Sequence, residues 1–213
     1  MLNLDAIRCA AVHEDPFRYF VATNVVGTEC AEEIGRDFPR VSTTGSHPVA
    51  CLTIGPAFAC LVDELRSPAF VEAVGHQLTL PLDGLAQLIT VRAQSGAADG
   101  AVHTDAEWKI VSALLYLNRG WHEAGGALRL LRSHAIDDVA IEVPPDWGTL
   151  IVFRRSERSF HGHRPFFGER RLLQINWVTD PAYVRREERR HRRSLAVKAA
   201  LGAAWPRWAR WRR

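Results

Sequence analysis

Apolar residues are spaced in two different ways along this chain, and the change falls near Pro81. Before it the pattern is helical and irregular. Glu29 to Asp37 sets Cys30, Ala31 and Ile34 on one side and acids on the other, after a Gly27-Thr28 start and before a Phe38-Pro39 stop. Pro56 to Leu65 and Ser67 to Leu78 predict two more helices, the second with Ser67 as N-cap and Pro68 at the first helical position. Phe17 to Val26 is apolar and suits a short strand, and Gly45-Ser46-His47-Pro48 suits a loop.

After Pro81 the apolar residues gather into short β-branched runs separated by Gly, Pro and Asp. The runs predict strands at Leu88–Gln94, Ala101–Asp105, Lys109–Leu117, Ala127–Leu131, Ala140–Val143, Thr149–Phe153, Ser159–His161 and Arg171–Val178. From Asp180-Pro181 the pattern is helical again. The expected fold is mainly β with flanking helices, built on a double-stranded β-helix (jelly roll, cupin-like) core. The expected layout is helical support over residues 1–80, the core over 81–180 and a basic helix or tail over 181–213, all in one globular domain.

Composition adds little except at the end of the chain. A hydrophobic share of 47% and a charged share of 24% are ordinary for a globular protein. No apolar run approaches the roughly 20 residues that span a bilayer. Met1-Leu2-Asn3-Leu4-Asp5 lacks the basic start of a signal peptide. Cys9, Cys30, Cys51 and Cys60 form no C-x-x-C pair and read as reduced thiols. A cytoplasmic protein is therefore expected. The net charge of +3 conceals an asymmetry, because Arg185 to Arg213 holds eleven Lys and Arg against Glu187 and Glu188. That tail ends in Trp205, Trp208 and Trp211 interleaved with arginines. It predicts a helix packed on its own body or on a dimer mate, an end that is partly unfolded, or a helix on an anionic membrane surface. No nucleic-acid motif accompanies the basic run, so no nucleic-acid partner is expected.

The candidate chemistry lies in the β region. On a strand, residues i and i+2 project to one face, so His103 and Asp105 in His103-Thr104-Asp105 converge while Thr104 points away. His161 follows 58 residues later, in Ser159-Phe160-His161-Gly162-His163. Two imidazoles and a carboxylate suit a mononuclear non-haem Fe(II) site with coordination positions left open. An H-x-D triplet alone is common; its context gives it weight.

From about Leu88 to Trp177 the chain resembles the Fe(II)/2-oxoglutarate dioxygenases, within them the prolyl 4-hydroxylase-like branch. The residues that carry the likeness are His103-Thr104-Asp105, then Leu114-Leu115-Tyr116-Leu117-Asn118 with Trp121, and Gly125-Gly126-Ala127-Leu128-Arg129. They continue with Pro144-Pro145, Gly148 to Phe153, His161 with Pro165, Gly168-Glu169-Arg170-Arg171 and Trp177. The resemblance implies Fe(II) held by His103, Asp105 and His161, with 2-oxoglutarate and O₂ as co-substrates and ascorbate as an added ligand. It implies hydroxylation of an unactivated C–H bond, with release of succinate and CO₂. It further implies a basic residue, on the strand after the second histidine, holding the distal carboxylate of 2-oxoglutarate, with Tyr116 beside it. Arg170 and Arg171 are both candidates and face opposite ways. Arg171 lies six residues before Trp177, which matches the family's spacing from that basic residue to an active-site tryptophan, so the resemblance favours Arg171, with Leu173, Ile175 and Trp177 then expected on the inward face.

Trp177, Arg92, Gln94 and His163 are the expected substrate-side residues. His163 also reads as an accessory or surface histidine, and Trp177 as core packing. The substrate class the likeness suggests is a prolyl or other amino-acid-type compound, free or in a peptide. The rival readings are a membrane-surface hydroxylase of a lipid or glycan precursor, and a jelly-roll sensor that holds metal without turnover.

Overall fold

The computed structural model describes residues 1–204, with side chains to Ser194. Five helices are present among them: α1 (Leu4–Arg8), α2 (Ala31–Asp37), α3 (Pro56–Arg66), α4 (Pro68–Leu78) and α5 (Pro181–Ala204). The ten strands are β1 (Val12–His13), β2 (Tyr19–Ala22), β3 (His47–Pro48), β4 (Ala86–Ser95), β5 (Lys109–Tyr116), β6 (Leu128–Leu131), β7 (Val139–Val143), β8 (Leu150–Arg154), β9 (His161–Gly162) and β10 (Gly168–Val178). They form a seven-stranded antiparallel sheet, β1-β2-β8-β5-β10-β4-β3, facing a three-stranded sheet, β7-β6-β9. This is the expected jelly roll with helical support. Ser67 caps α4 by accepting from the Phe70 N–H, as its position before Pro68 predicts.

Strand alternation divides the large sheet between two cores. One face of β5, β10, β4 and β8 presents Val111, Ala113, Leu115, Leu173, Ile175, Val91 and Val152 to α1, α3 and α4. The other presents Leu114, Tyr116, Leu172, Ile151 and Phe153 to Leu128, Leu130 and Val143 of the small sheet. Trp177 belongs to the first core. It is fully buried and stacks on Phe70 of α4 with ring centroids 6.1 Å apart. The expected inward position of Leu173, Ile175 and Trp177 is thus corrected: they share a face, but it is the helix-packed face. Trp177→Ala is expected to cost about 3–5 kcal/mol of stability, as large aromatic truncations in cores do. Denaturant unfolding measures it.

The predicted strand at Ala101–Asp105 is reduced to one bridge, His103 opposite His161. Its partner β9 is only two residues long, so the ladder has little to pair with. The basic tail begins as a helix on the protein's own body. Tyr183 stacks on Trp108 (centroids 5.1 Å, planes 13° apart) and His191 meets His47 edge-on at 4.9 Å. Trp205, Trp208 and Trp211 lie outside the described residues. No helix among the described residues is long and apolar enough to cross a membrane.

Candidate metal centre and co-substrate anchor

His103 and His161 sit directly opposite one another across the bridge. They exchange both backbone hydrogen bonds, His103 N to His161 O at 3.1 Å and His161 N to His103 O at 3.0 Å. The pairing brings their rings to 4.4 Å between centroids. Each Nδ1 lies 2.9 Å from the backbone carbonyl two residues earlier, Ala101 for His103 and Ser159 for His161. A carbonyl can only accept, so Nδ1 carries the proton in both rings and Nε2 keeps its lone pair. Fixing the tautomer through Nδ1 is how proteins orient imidazole ligands. Asp105 completes the group: one ligand atom from each of the three residues lies within 4.8 Å of the others. Asp105 Oδ2 is 4.0 Å from His161 Nε2.

The carboxylate is held from several sides. Lys109 donates to Oδ1 and the Ser112 hydroxyl donates to Oδ2. Ser112 Oγ lies 2.9 Å from the side-chain amide of Asn176, and Arg155 Nε donates to the Asp105 carbonyl at 3.2 Å. Burial would push the Asp105 carboxyl up, but Lys109, His161 and Ser112 together draw it below its usual value. Burial pulls His161 down to about 4, with Asp105 opposing the shift. His161 is therefore a neutral imidazole at neutral pH, as a metal ligand must be. Two neutral nitrogens and one anionic oxygen on one side of a small space suit a divalent iron ion.

Ser112 and Asn176 were not singled out by sequence reasoning. The available signal was a polar residue on a strand that is otherwise apolar, as Ser112 is on β5 and Asn176 on β10.

Further along the same inner face lies a buried cation. Arg170 is 4% exposed. Its Nε donates to the Gly126 carbonyl at 2.7 Å, one terminal nitrogen reaches the Tyr116 hydroxyl at 3.3 Å, and the guanidinium sits 5.3 Å from the Tyr116 ring centre. Among the described residues no carboxylate forms an ion pair with it, whereas Arg92 has Asp99 at 2.6 Å and Arg171 has Glu169 at 2.8 Å. A buried guanidinium bonded only to neutral oxygens calls for an anion. The distal carboxylate of 2-oxoglutarate is such an anion, so the residues present fit the co-substrate.

Arg171, the favoured anchor, is corrected by this geometry. Two residues of β10, Arg170 and Arg171, oppose the single Ala93 of β4, between the pairs Glu169–Gln94 and Leu172–Arg92. On the far side of this bulge Arg171 lies over the Phe38 ring, 4.9 Å from its centre, on the outer face with Leu173. Tyr116 stands where expected beside the buried arginine. Burial raises its hydroxyl above the ordinary value, with Arg170 working the other way.

The substrate-side candidates separate. Arg92 faces inward opposite Leu172 and is held by Asp99. His163 is buried and sits among the charges of Arg170, Arg92 and Asp99; its Nδ1 donates to the Arg164 carbonyl at 2.9 Å. Burial and these arginines hold it down to about 4. It lies outside the metal group, on the anchor side. Gln94 lines a cleft shared with Glu169 and Arg171, away from the triad, and Trp177 is in the helix-packed core. The expectation that Gln94 and Trp177 face substrate is corrected. A cleft of about 790 Å³ lined by Trp121, Trp147 and Phe166 includes no triad residue.

His161 and His163 both titrate far below the ordinary histidine value of 6.5 when folded. Between pH 6.5 and about 4 the unfolded chain therefore binds more protons, and folded stability falls as pH falls. The expected loss is on the order of 1–3 kcal/mol for each ring across that window. Denaturant unfolding of the metal-free protein at pH 7, 5.5 and 4.5 measures it.

Residues 91–179 match the family model of the 2OG-Fe(II) oxygenase superfamily. That segment, which carries the His-Asp-His group and both arginines of β10, is similar to the superfamily. The likeness supports a 2-oxoglutarate-dependent dioxygenase that uses Fe(II), 2-oxoglutarate and O₂. Among curated proteins, none matches the chain. A prolyl 4-hydroxylase structure from Phytophthora capsici is 22% identical with a TM-score of 0.54, over 76% of this chain and 59% of its own. A prolyl hydroxylase from Trichoplax adhaerens, in complex with a hypoxia inducible factor oxygen degradation domain peptide fragment, is 15% identical with a TM-score of 0.50, over 75% and 83%. A prolyl-4-hydroxylase from Pseudomonas putida is 21% identical with a TM-score of 0.49, over 82% and 90%. The first two share the oxygenase's jelly-roll fold.

Proposed function

We propose that this oxygenase hydroxylates an unactivated C–H bond of a prolyl or other amino-acid-type substrate, releasing succinate and CO₂. In this reading His103, Asp105 and His161 hold the iron, and Arg170 with Tyr116 holds the distal carboxylate of 2-oxoglutarate. The observation that carries the reading is the buried Arg170, without a carboxylate partner among the described residues, on the same inner face as the His-Asp-His group. A sensor that merely bound metal would have no use for a second anion site, and burying its guanidinium would be an uncompensated cost.

Fe(II) with bound 2-oxoglutarate and O₂ supplies the oxidising power of such a reaction. The protein's share is placement. The carbonyls of Ala101 and Ser159 hold the two imidazoles with Nε2 free. Lys109 and Ser112 fix both oxygens of Asp105, so the carboxylate stays ionised and cannot swing away. Arg170 offers a planar donor fork, and Tyr116 a hydroxyl, to a carboxylate arriving between the sheets. The apolar walls Leu114, Leu128, Ile151 and Leu172 exclude water around that anchor.

The test is direct. Purified protein is supplied with Fe(II), 2-oxoglutarate and air, with and without pooled amino acids and proline-containing peptides. Succinate is expected in all cases, with a product one oxygen atom heavier in the supplemented sample. No succinate under any of these conditions would leave a non-catalytic metal sensor as the better reading.

A further inference from the structure

A second cavity, about 370 Å³, borders the triad's supporting residues. One wall is the inner face of the large sheet, with Thr90 on β4 and Gln174 and Asn176 on β10. Lys109, which grips Asp105, lies on its lining, and Asn176 touches Asp105 through Ser112. The opposite wall is α5, through Glu187 and Arg190. Thr90 is 5% exposed, and its buried hydroxyl has no hydrogen-bond partner. A buried hydroxyl left unpaired is costly, and such exceptions call for an explanation. An unpaired hydroxyl on the lining of a cavity is explained by a ligand that completes it.

We propose that this cavity seats the organic substrate, and that the substrate is a free molecule of amino-acid size rather than a residue within a peptide; this rests on the dioxygenase reading above. The volume lies at the lower end of small-molecule sites. The lining charges are of both signs. Arg190, paired with Glu187 at 2.8 Å, suits a carboxylate and Glu187 an ammonium, so a zwitterion inserts between them; Lys109 is taken by Asp105, and Thr90 and Gln174 offer neutral hydrogen bonds to a polar side chain. Helix α5 crosses the opening and is pinned by Tyr183 on Trp108 and by His191 on His47. A polypeptide entering there would have to displace it. The helix thus makes the site selective for small ligands, and Glu187 and Thr90 are specificity-determining residues.

The experiment measures binding of the twenty free L-amino acids, and of their N-acetyl amides, to the full chain loaded with Mn(II) and 2-oxoglutarate, by calorimetry. At least one free amino acid is expected to bind, with its capped form about tenfold weaker or worse. Thr90→Val and Glu187→Gln are each expected to weaken that binding about tenfold, while the affinity for 2-oxoglutarate moves less than twofold. Absence of binding by every free amino acid, equal binding of the capped forms, or indifference to both substitutions overturns the proposal. Succinate formation from 2-oxoglutarate alone with Fe(II) is read in parallel: if it fails, the dioxygenase reading falls, and if it persists without amino-acid binding, only the assignment of this cavity falls.

Discussion

Arg170→Met is expected to raise the KM for 2-oxoglutarate by about 10²–10³-fold, because two charge-assisted hydrogen bonds of roughly 1.5–3 kcal/mol each disappear from a dry site. Arg171→Met is expected to change it by less than about threefold, since its guanidinium is taken by Glu169 on the outer face. The anchor binds the co-substrate equally before and during the reaction, so kcat at saturating 2-oxoglutarate should fall far less than kcat/KM. Arg170→Lys should lie between, with the charge kept and the planar fork lost. The stability of the apoprotein separates this from simple unfolding. Methionine removes a buried charge that has no carboxylate partner, so folding should change by no more than about 1–2 kcal/mol. Steady-state succinate assays with a parallel denaturation curve decide the matter. A large KM effect in Arg171→Met, with none in Arg170→Met, would reverse the assignment.

Asp105→Ala is expected to weaken Fe(II) binding by more than about 10³-fold, by losing the one anionic ligand of three and roughly 4 kcal/mol of binding. Substrate-dependent turnover should vanish with it. The same change strands Lys109, 14% exposed, beside an empty volume, so Asp105→Asn is the gentler control for shape. Ser112→Ala leaves all three ligands in place and frees only one carboxylate oxygen. Its expected effect is about 10–100-fold on metal affinity, the usual scale for partners that orient a ligand. His161→Ala should match Asp105→Ala. Metal titration by calorimetry, with far-ultraviolet circular dichroism as a check on folding, gives all four values. Wild-type affinity in Asp105→Ala would remove the proposed iron site.

The sequence by itself determined which residues share a face. Period-two spacing put His103 with Asp105, and Leu173 with Ile175 and Trp177, and those groupings hold. Spacing is a local property of an extended backbone, so it survives whatever the strand later packs against. The helix boundaries around Ser67-Pro68 were equally local, set by a cap and a fixed φ. Only the tertiary structure decided which face is which. Both faces of β10 are apolar, one against α4 and one against the small sheet, and alternation cannot say which side holds the metal group. That ambiguity reversed Arg170 and Arg171 and sent Trp177 to the helices. The partners of Asp105 and the cavity under α5 were invisible for the same reason. They join residues as far apart as Thr90, Lys109, Asn176 and Glu187, and that proximity exists only once the sheet is paired and the last helix lies across it.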